Sequence, residues 1–107
     1  MEYIIIEVPD MNDSLSRIVL SGKEYQIRFT YNDTFDFWKF SLYTYGGEPI
    51  VLGIKIVPKI PLNLFQSTSQ LPDGVFGVLT NLDRIGKKAF LEGAAKFIFC
   101  PVKLPDY

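Results

Sequence analysis

The sequence contains no histidine and only one cysteine among its 107 residues. Without histidine, Ser–His and Cys–His nucleophile pairs, histidine general bases and the common zinc sites are excluded. Cys100 stands before Pro101 beside a predicted terminal strand, and we interpret it as a buried structural thiol because no histidine can activate it. A single cysteine also excludes an intramolecular disulfide. We therefore expect no catalytic residue, no metal ligand and no cofactor.

Long apolar runs and basic clusters are missing as well. No stretch approaches the ~18 apolar residues that span a bilayer, and the N-terminal residues lack the basic region of a signal peptide. The formal net charge of -1 argues against a nucleic-acid binder, because phosphate binding needs a basic surface. Gly86-Lys87-Lys88 lacks the upstream glycine and the Ser/Thr of a phosphate loop. We expect cytoplasmic synthesis without a signal peptide, no membrane contact and no specific nucleic-acid partner.

Apolar and polar side chains alternate along much of the chain. In residues 24–31 and 37–43 nearly every second residue is aromatic or aliphatic, which is the period of a half-buried strand. Ser21-Gly22 and Gly46-Gly47 separate such runs and are typical of tight hairpins. The pattern predicts an all-β fold, a small antiparallel barrel or sandwich of six to eight strands with meander hairpins and little helix. The predicted core includes Tyr25, Ile27, Phe29, Trp38, Phe40, Ile50, Leu52 and Ile54.

We expect residues 1–107 to form a single β domain that carries two irregular segments. One is a long, Pro-rich, apolar loop at 58–74, and the other is a short C-terminal tail at 101–107. The apolar residues of the loop either pack over an open end of the fold or lie at a subunit interface, and the sequence leaves both open. Arguments from exposure select the candidate partner-binding residues Leu62, Leu64, Phe65, Lys87, Lys88, Leu104 and Tyr107.

The order of strands and turns resembles that of the bacteriophage baseplate plug family, which are small structural proteins of contractile-tail phages and prophages. The segments that carry the resemblance are Leu20-Ser-Gly22-Lys-Glu-Tyr25, Phe29-Thr-Tyr31-Asn32, Trp38-Lys-Phe40-Ser-Leu42, Gly47-Glu-Pro49-Ile-Val-Leu-Gly53-Ile, Phe76-Gly77-Val78-Leu79 and Ala95-Lys-Phe97-Ile98. The similarity covers nearly the whole chain. It departs at Phe97-Ile-Phe-Cys100 and the tail that follows, where the family more often closes with a Leu-Val-Tyr-like strand.

This resemblance implies a non-catalytic component of the virion tail, made in the cytoplasm of the bacterial host. Such a plug closes the central channel of the baseplate and contacts hub, spike or tail-tube proteins. Homo-oligomerisation in the assembled particle is left open.

A small β-barrel that binds an oligosaccharide or single-stranded nucleic acid is the alternative, because exposed aromatic side chains stack on bases and sugars. A solvent-facing row of Trp38, Tyr43 and Tyr45 would favour this alternative, whereas a buried Trp38 favours the structural role. Carboxylate pairs for glycoside hydrolysis are defined by their separation in space. The two candidate pairs, which we interpret as solvated turn residues, are Asp33 with Asp36 and Asp83 with Glu92.

Overall fold

Seven antiparallel strands form two sheets in the computed structural model, which describes residues 3–62 and 71–101. The strands are β1 (Ile4–Ile6), β2 (Asp13–Leu20), β3 (Lys23–Asn32), β4 (Phe37–Thr44), β5 (Pro49–Ile56), β6 (Gly74–Thr80) and β7 (Ala95–Pro101). One sheet has the order β2-β3-β4-β5 and the other has the order β1-β7-β6. The prediction of an all-β fold is confirmed, and two separate sheets form a sandwich. Within the described ranges, no helix is long and apolar enough to cross a membrane.

The meander of the larger sheet is set by local turn chemistry. Ser21 and Gly22 both have positive φ angles, 51° and 79°, as a two-residue type I′ hairpin requires. After β3, the side-chain Oδ1 of Asn32 accepts hydrogen bonds from the backbone N–H groups of Thr34 at 2.9 Å and Phe35 at 3.1 Å. This side-chain turn replaces the ladder and ends the strand. Consecutive strands therefore pair with each other along the chain.

Strand β5 is irregular in its register against β4, and this changes which side chains face the core. Phe40 pairs with Ile54 but Leu42 pairs with Val51, so β5 has one extra residue between these two pairs. An extra residue changes the alternation of the side chains that follow it. Val51 is consequently 1% exposed and Leu52 is 57% exposed. The prediction of Leu52 as a core residue is wrong for this reason.

One apolar cluster fills the space between the two sheets. The ring of Phe40 lies 5.2 Å from that of Phe76 and 5.1 Å from that of Phe97, and Phe29 meets Phe97 edge-on at 5.2 Å. Aromatic pairs of this geometry contribute about 0.5–1.5 kcal/mol each beyond the burial of their area. The other seven residues of the predicted core all belong to this cluster or pack against it, and among them Ile54 is only partly buried.

The chain that follows β5 runs along the outer edge of β6. The backbone N–H of Leu62 donates to the carbonyl of Phe76 at 2.7 Å, and the N–H of Val78 donates to the carbonyl of Lys59 at 3.1 Å. These bonds occupy a sheet edge that would otherwise present unpaired groups. Leu62 is buried and belongs to the core cluster. Residues 63–70 of the predicted loop lie outside the described residues.

Candidate interaction surface

The directions of the strands bring four connections to one end of the sandwich, which we call the loop end. These connections are residues 7–12, 33–36, 57–58 and 81–94. The short turns at 21–22 and 45–48 lie at the opposite end. Because connections distant in sequence meet at the loop end, they can present one continuous surface to a partner.

Asp36 is the centre of a hydrogen-bonded cluster at the loop end. The hydroxyl of Tyr31 donates to the Asp36 carboxylate. Arg84 Nη2 lies 2.9 Å from Asp36 Oδ2 and also donates to the Asp36 carbonyl at 2.7 Å. The hydrogen bond to Asp36, together with partial burial, raises the pKa of Tyr31 to about 12. The cluster ties the 33–36 turn to the 81–94 connection.

Trp38 holds the same connection from the core side. Its side chain is 3% exposed, and its Nε1–H donates to the carbonyl of Gly86 at 3.1 Å. The ring lies 5.2 Å from the ring of Tyr31 and 6.0 Å from that of Phe90. Since a buried indole N–H needs a hydrogen-bond acceptor, this contact determines where residues 85–90 sit.

The two lysines selected from the sequence both lie on the loop end. Lys87 Nζ is 3.9 Å from Asp33 Oδ1 and 5.6 Å from the centre of the Tyr31 ring. Exposed ion pairs contribute only about 0–1 kcal/mol, so this contact is easily exchanged for one with a partner. Lys88 is exposed beside it.

Of the five other candidate partner-binding residues, the structure describes one. Leu62 is 5% exposed, so the prediction that it is exposed is wrong. Its backbone N–H bonds to β6, and its side chain is buried in the core. Its burial agrees with the other alternative for the loop, packing over the open core. Four further candidates lie outside the described residues, namely Leu64, Phe65, Leu104 and Tyr107.

The candidate carboxylate pairs of the loop end are engaged or solvated. Asp36 is held by Tyr31 and Arg84 as described. Asp33 accepts from Asn12 Nδ2 at 3.4 Å in addition to its contact with Lys87. The other pair, Asp83 with Glu92, is exposed. In the part of the chain that the structure describes, no group of three acidic or cysteine side chains is placed to hold a metal ion.

A shallow groove of about 480 Å³ crosses the outer face of the larger sheet. Arg28 forms a two-pronged ion pair in it, with Nε 2.8 Å from Asp13 Oδ1 and Nη2 2.6 Å from Asp13 Oδ2. The hydrogen bond from Arg28 lowers the pKa of the Asp13 carboxyl below its usual value. Gln26 and Tyr43 also line the groove. The two charges of the groove are thus already matched to each other.

The aromatic row that would have favoured ligand binding is not formed. Trp38 and Tyr43 are five residues apart on one strand, so their side chains point to opposite faces of the sheet. Trp38 is buried, Tyr43 is half-buried, and Tyr45 is 64% exposed with Arg17 at 5.9 Å from its ring. The burial of Trp38 therefore favours the structural role over the ligand-binding alternative.

The sequence arguments missed a second group of side chains beside the loop end. Phe35, Phe37, Lys39 and Lys55 lie together where the outer face of the larger sheet meets the loop end, and we call them the Lys–Phe corner. Alternation along β4 and β5 identifies the two lysines as outward-facing. The two lysines lie opposite each other only through the register of β4 against β5. Because β5 is bulged, no local sequence pattern specifies this register.

The sequence model of the family described as cyanophage baseplate Pam3 plug gp18 matches residues 1–98 of the chain. The matched range contains six strands in full and most of the seventh, together with the loop end and the Lys–Phe corner. No curated protein matches the sequence.

Proposed function

The chain belongs to the cyanophage baseplate plug family, and on this premise we propose that it closes the central channel of a phage tail baseplate. The observation that carries the proposal is the extent of the family match, which reaches from residue 1 to residue 98 and so includes nearly all of both sheets. A structural role in the baseplate follows from membership. Channel closure, and a role without catalysis, are the further steps that we propose.

The physical character of the fold suits a plug. A channel seal must keep its shape under load from one side, and a close-packed interior transmits force with little deformation. The rings of Phe29, Phe40, Phe76 and Phe97 interlock between the sheets, and the Asp36 cluster fastens the loop end. Both features favour a rigid body over a mobile enzyme or receptor.

The proposed partners are the baseplate hub, spike or tail-tube proteins that surround the channel. On the loop end, Lys87 and Lys88 are exposed and are proposed to contact them. The proposed contacts outside the described residues are Leu64, Phe65, Leu104 and Tyr107. In this proposal residues 1–107 act as one domain, made in the host cytoplasm and carried in the virion tail.

Electron cryomicroscopy of tail particles tests the position directly. Density that fits the seven-stranded sandwich should lie on the tail axis, within the ring of hub proteins. Density for the chain on the periphery of the baseplate would contradict channel closure while leaving it a baseplate component. Particles without the chain at any position would contradict the structural role itself.

The loop contribution is tested by replacing Leu64 and Phe65 together with Ser. If the two side chains contact partners, the melting temperature should stay near that of the wild type while incorporation into particles is lost. Val19→Ser is the matched control, because Val19 is an apolar side chain that is 63% exposed on a different part of the surface. A large fall in melting temperature would show that the loop stabilises the fold, and normal incorporation would remove both residues from the interface.

A further inference from the structure

The Lys–Phe corner contains two like charges placed directly opposite each other. Lys39 of β4 pairs with Lys55 of β5 in the sheet register, and both side chains point to the outer face. Cross-strand neighbours have Cβ atoms about 5 Å apart, and like charges in this position destabilise a sheet. A pair of lysines here is therefore a cost to the folded chain that some other interaction has to offset.

The ring of Phe37 attracts both lysine ammonium groups. Lys39 Nζ lies 5.8 Å and Lys55 Nζ 4.9 Å from the centre of the Phe37 ring. A cation near an aromatic face is attracted by about 0.5–1 kcal/mol at an exposed site. Phe37 thus holds two ammonium groups over one small area, where they can act on the same ligand.

Neither lysine of the corner has an acidic partner among the residues that the structure describes. On the same sheet face, Asp13 is paired with Arg28 and Glu24 with Arg17, at 2.6 and 3.4 Å. The carboxylates of this face are therefore occupied elsewhere. The corner is left with two positive charges on a chain whose formal net charge is -1.

An exposed aromatic side chain lies in the same groove as Lys55. Phe35 is 72% exposed, the largest exposed fraction among the large apolar side chains of the described residues. It lines a groove of about 240 Å³ together with Phe37 and Lys55. Two carboxylates also line this groove: Asp36 is paired with Arg84, and Asp83 forms no ion pair with Lys55 in the part of the chain that the structure describes. Aromatic side chains such as Phe are enriched at protein interfaces, and charged groups belong to the polar rim around them.

We propose that the Lys–Phe corner docks an acidic segment of a neighbouring baseplate protein. The segment brings carboxylate groups to Lys39 and Lys55 and covers Phe35 with an apolar side chain. Duplex DNA offers the same charge, but its bases are stacked inside the helix, so its phosphate surface has no apolar group to cover Phe35, and two lysines on an acidic chain make a poor basic footprint. The inference rests on the proposed baseplate function and names its partner chemistry.

Particle assembly tests the docking surface by comparing three variants with the wild type. Lys39→Gln combined with Lys55→Gln should lower incorporation about tenfold or more, as loss of interfacial charge contacts does. Phe35→Ser should have a similar effect. The control is Lys96→Gln, at an exposed lysine on the other sheet, which should incorporate normally.

Thermal unfolding of the same proteins separates docking from folding. The double glutamine variant should melt near the wild-type temperature, because the like-charge repulsion and the attraction of both lysines to the Phe37 ring are lost together. Normal incorporation of this variant alongside wild-type protein would overturn the inference and leave the proposed function intact. Failure of the wild type to incorporate would instead overturn the proposed function.

Binding in solution identifies the chemistry of the partner. A short polyglutamate peptide at low ionic strength should shift the amide resonances of residues 35–39 and 55, and added salt should weaken the shifts. The double glutamine variant should lose them. Tighter binding of a duplex DNA oligonucleotide than of the peptide, lost in the same variant, would overturn the assignment to a protein partner.

Discussion

Replacing Trp38 with Ala tests how the core and the loop end are joined. The indole is 3% exposed, contacts the rings of Tyr31 and Phe90, and donates a hydrogen bond to the Gly86 carbonyl. Removing it leaves a cavity at the core and removes the indole hydrogen bond to the Gly86 carbonyl, which keeps only the longer bond from the Ala89 N–H at 3.4 Å. Both losses act on the folded state, so the free energy of unfolding should fall.

The expected loss of unfolding free energy has two contributions, the buried ring and the indole hydrogen bond. Truncating a buried tryptophan to alanine costs about 3–5 kcal/mol, and the indole hydrogen bond is worth about 1 kcal/mol of the total. Trp38→Phe keeps most of the ring contacts but loses the N–H donor, so it should cost about 1–2 kcal/mol. The ordering of the three proteins is therefore wild type, then Trp38→Phe, then Trp38→Ala.

Urea unfolding followed by far-ultraviolet circular dichroism measures this ordering. Fluorescence cannot compare the three proteins, because Trp38 is the one tryptophan of the sequence. With a slope of about 2 kcal/mol per molar urea, the midpoint of Trp38→Ala should fall by about 2 M. On the same slope, the Trp38→Phe midpoint should fall by about 0.5–1 M.

Two results would refute the reasoning. A Trp38→Ala midpoint within about 0.3 M of the wild type would mean that the ring does not stabilise the core. Equal losses for the Phe and Ala variants would mean that the hydrogen bond, and not burial of the ring, provides the stabilisation. The Phe variant keeps the test informative if Trp38→Ala does not fold.

Two further changes test the packing and the electrostatics. A Cβ on Gly74 would overlap the Phe99 ring and lie 2.5 Å from the Cys100 carbonyl oxygen, so Gly74→Ala should force β6 from β7 and lower the free energy of unfolding by about 1–3 kcal/mol, as overpacking does. Gly46→Ala is the control and should change the melting temperature little, because the nearest atom to its Cβ would be Thr44 Oγ1 at 4.0 Å. Equal melting temperatures of the two variants would contradict the packing argument. The pKa of Tyr31 is raised from 10 to about 12 by its bond to Asp36, so the stability from that bond is complete below pH 10 and is lost as the pH rises towards 12. Burial also raises the pKa of Tyr25, so absorbance titration of the phenols should show more than one late tyrosine, and the component near pH 12 should be missing in Tyr31→Phe. An unchanged titration in that variant would contradict the assignment.

Much of the fold is readable from local patterns in the sequence. Alternation places Tyr25, Ile27 and Phe29 on one face of β3, and this face is buried because the period of a strand is two wherever the strand is regular. Gly22 marks the hairpin turn locally, because glycine adopts a positive φ angle without steric cost. The family resemblance is also readable, because it depends on the order of such strands and turns.

The opposite orientations of Trp38 and Tyr43 also follow from alternation alone. The two residues differ by an odd number of positions on one strand, so their side chains lie on opposite faces of the sheet. The strand period by itself is therefore sufficient to exclude the aromatic row of the ligand-binding alternative.

Other features depend on contacts between distant parts of the chain, which local patterns do not encode. The bulge in β5 exposes Leu52, and an extra residue is defined only against the partner strand β4. The burial of Leu62 depends on a backbone bond to β6, and the Asp36 cluster depends on Arg84, 48 residues away. The pairing of Lys39 with Lys55 arises in the same way, because register brings together charges that the sequence keeps apart. Strand identity is a local property, whereas the interaction surfaces of this sandwich are produced by pairing at long range.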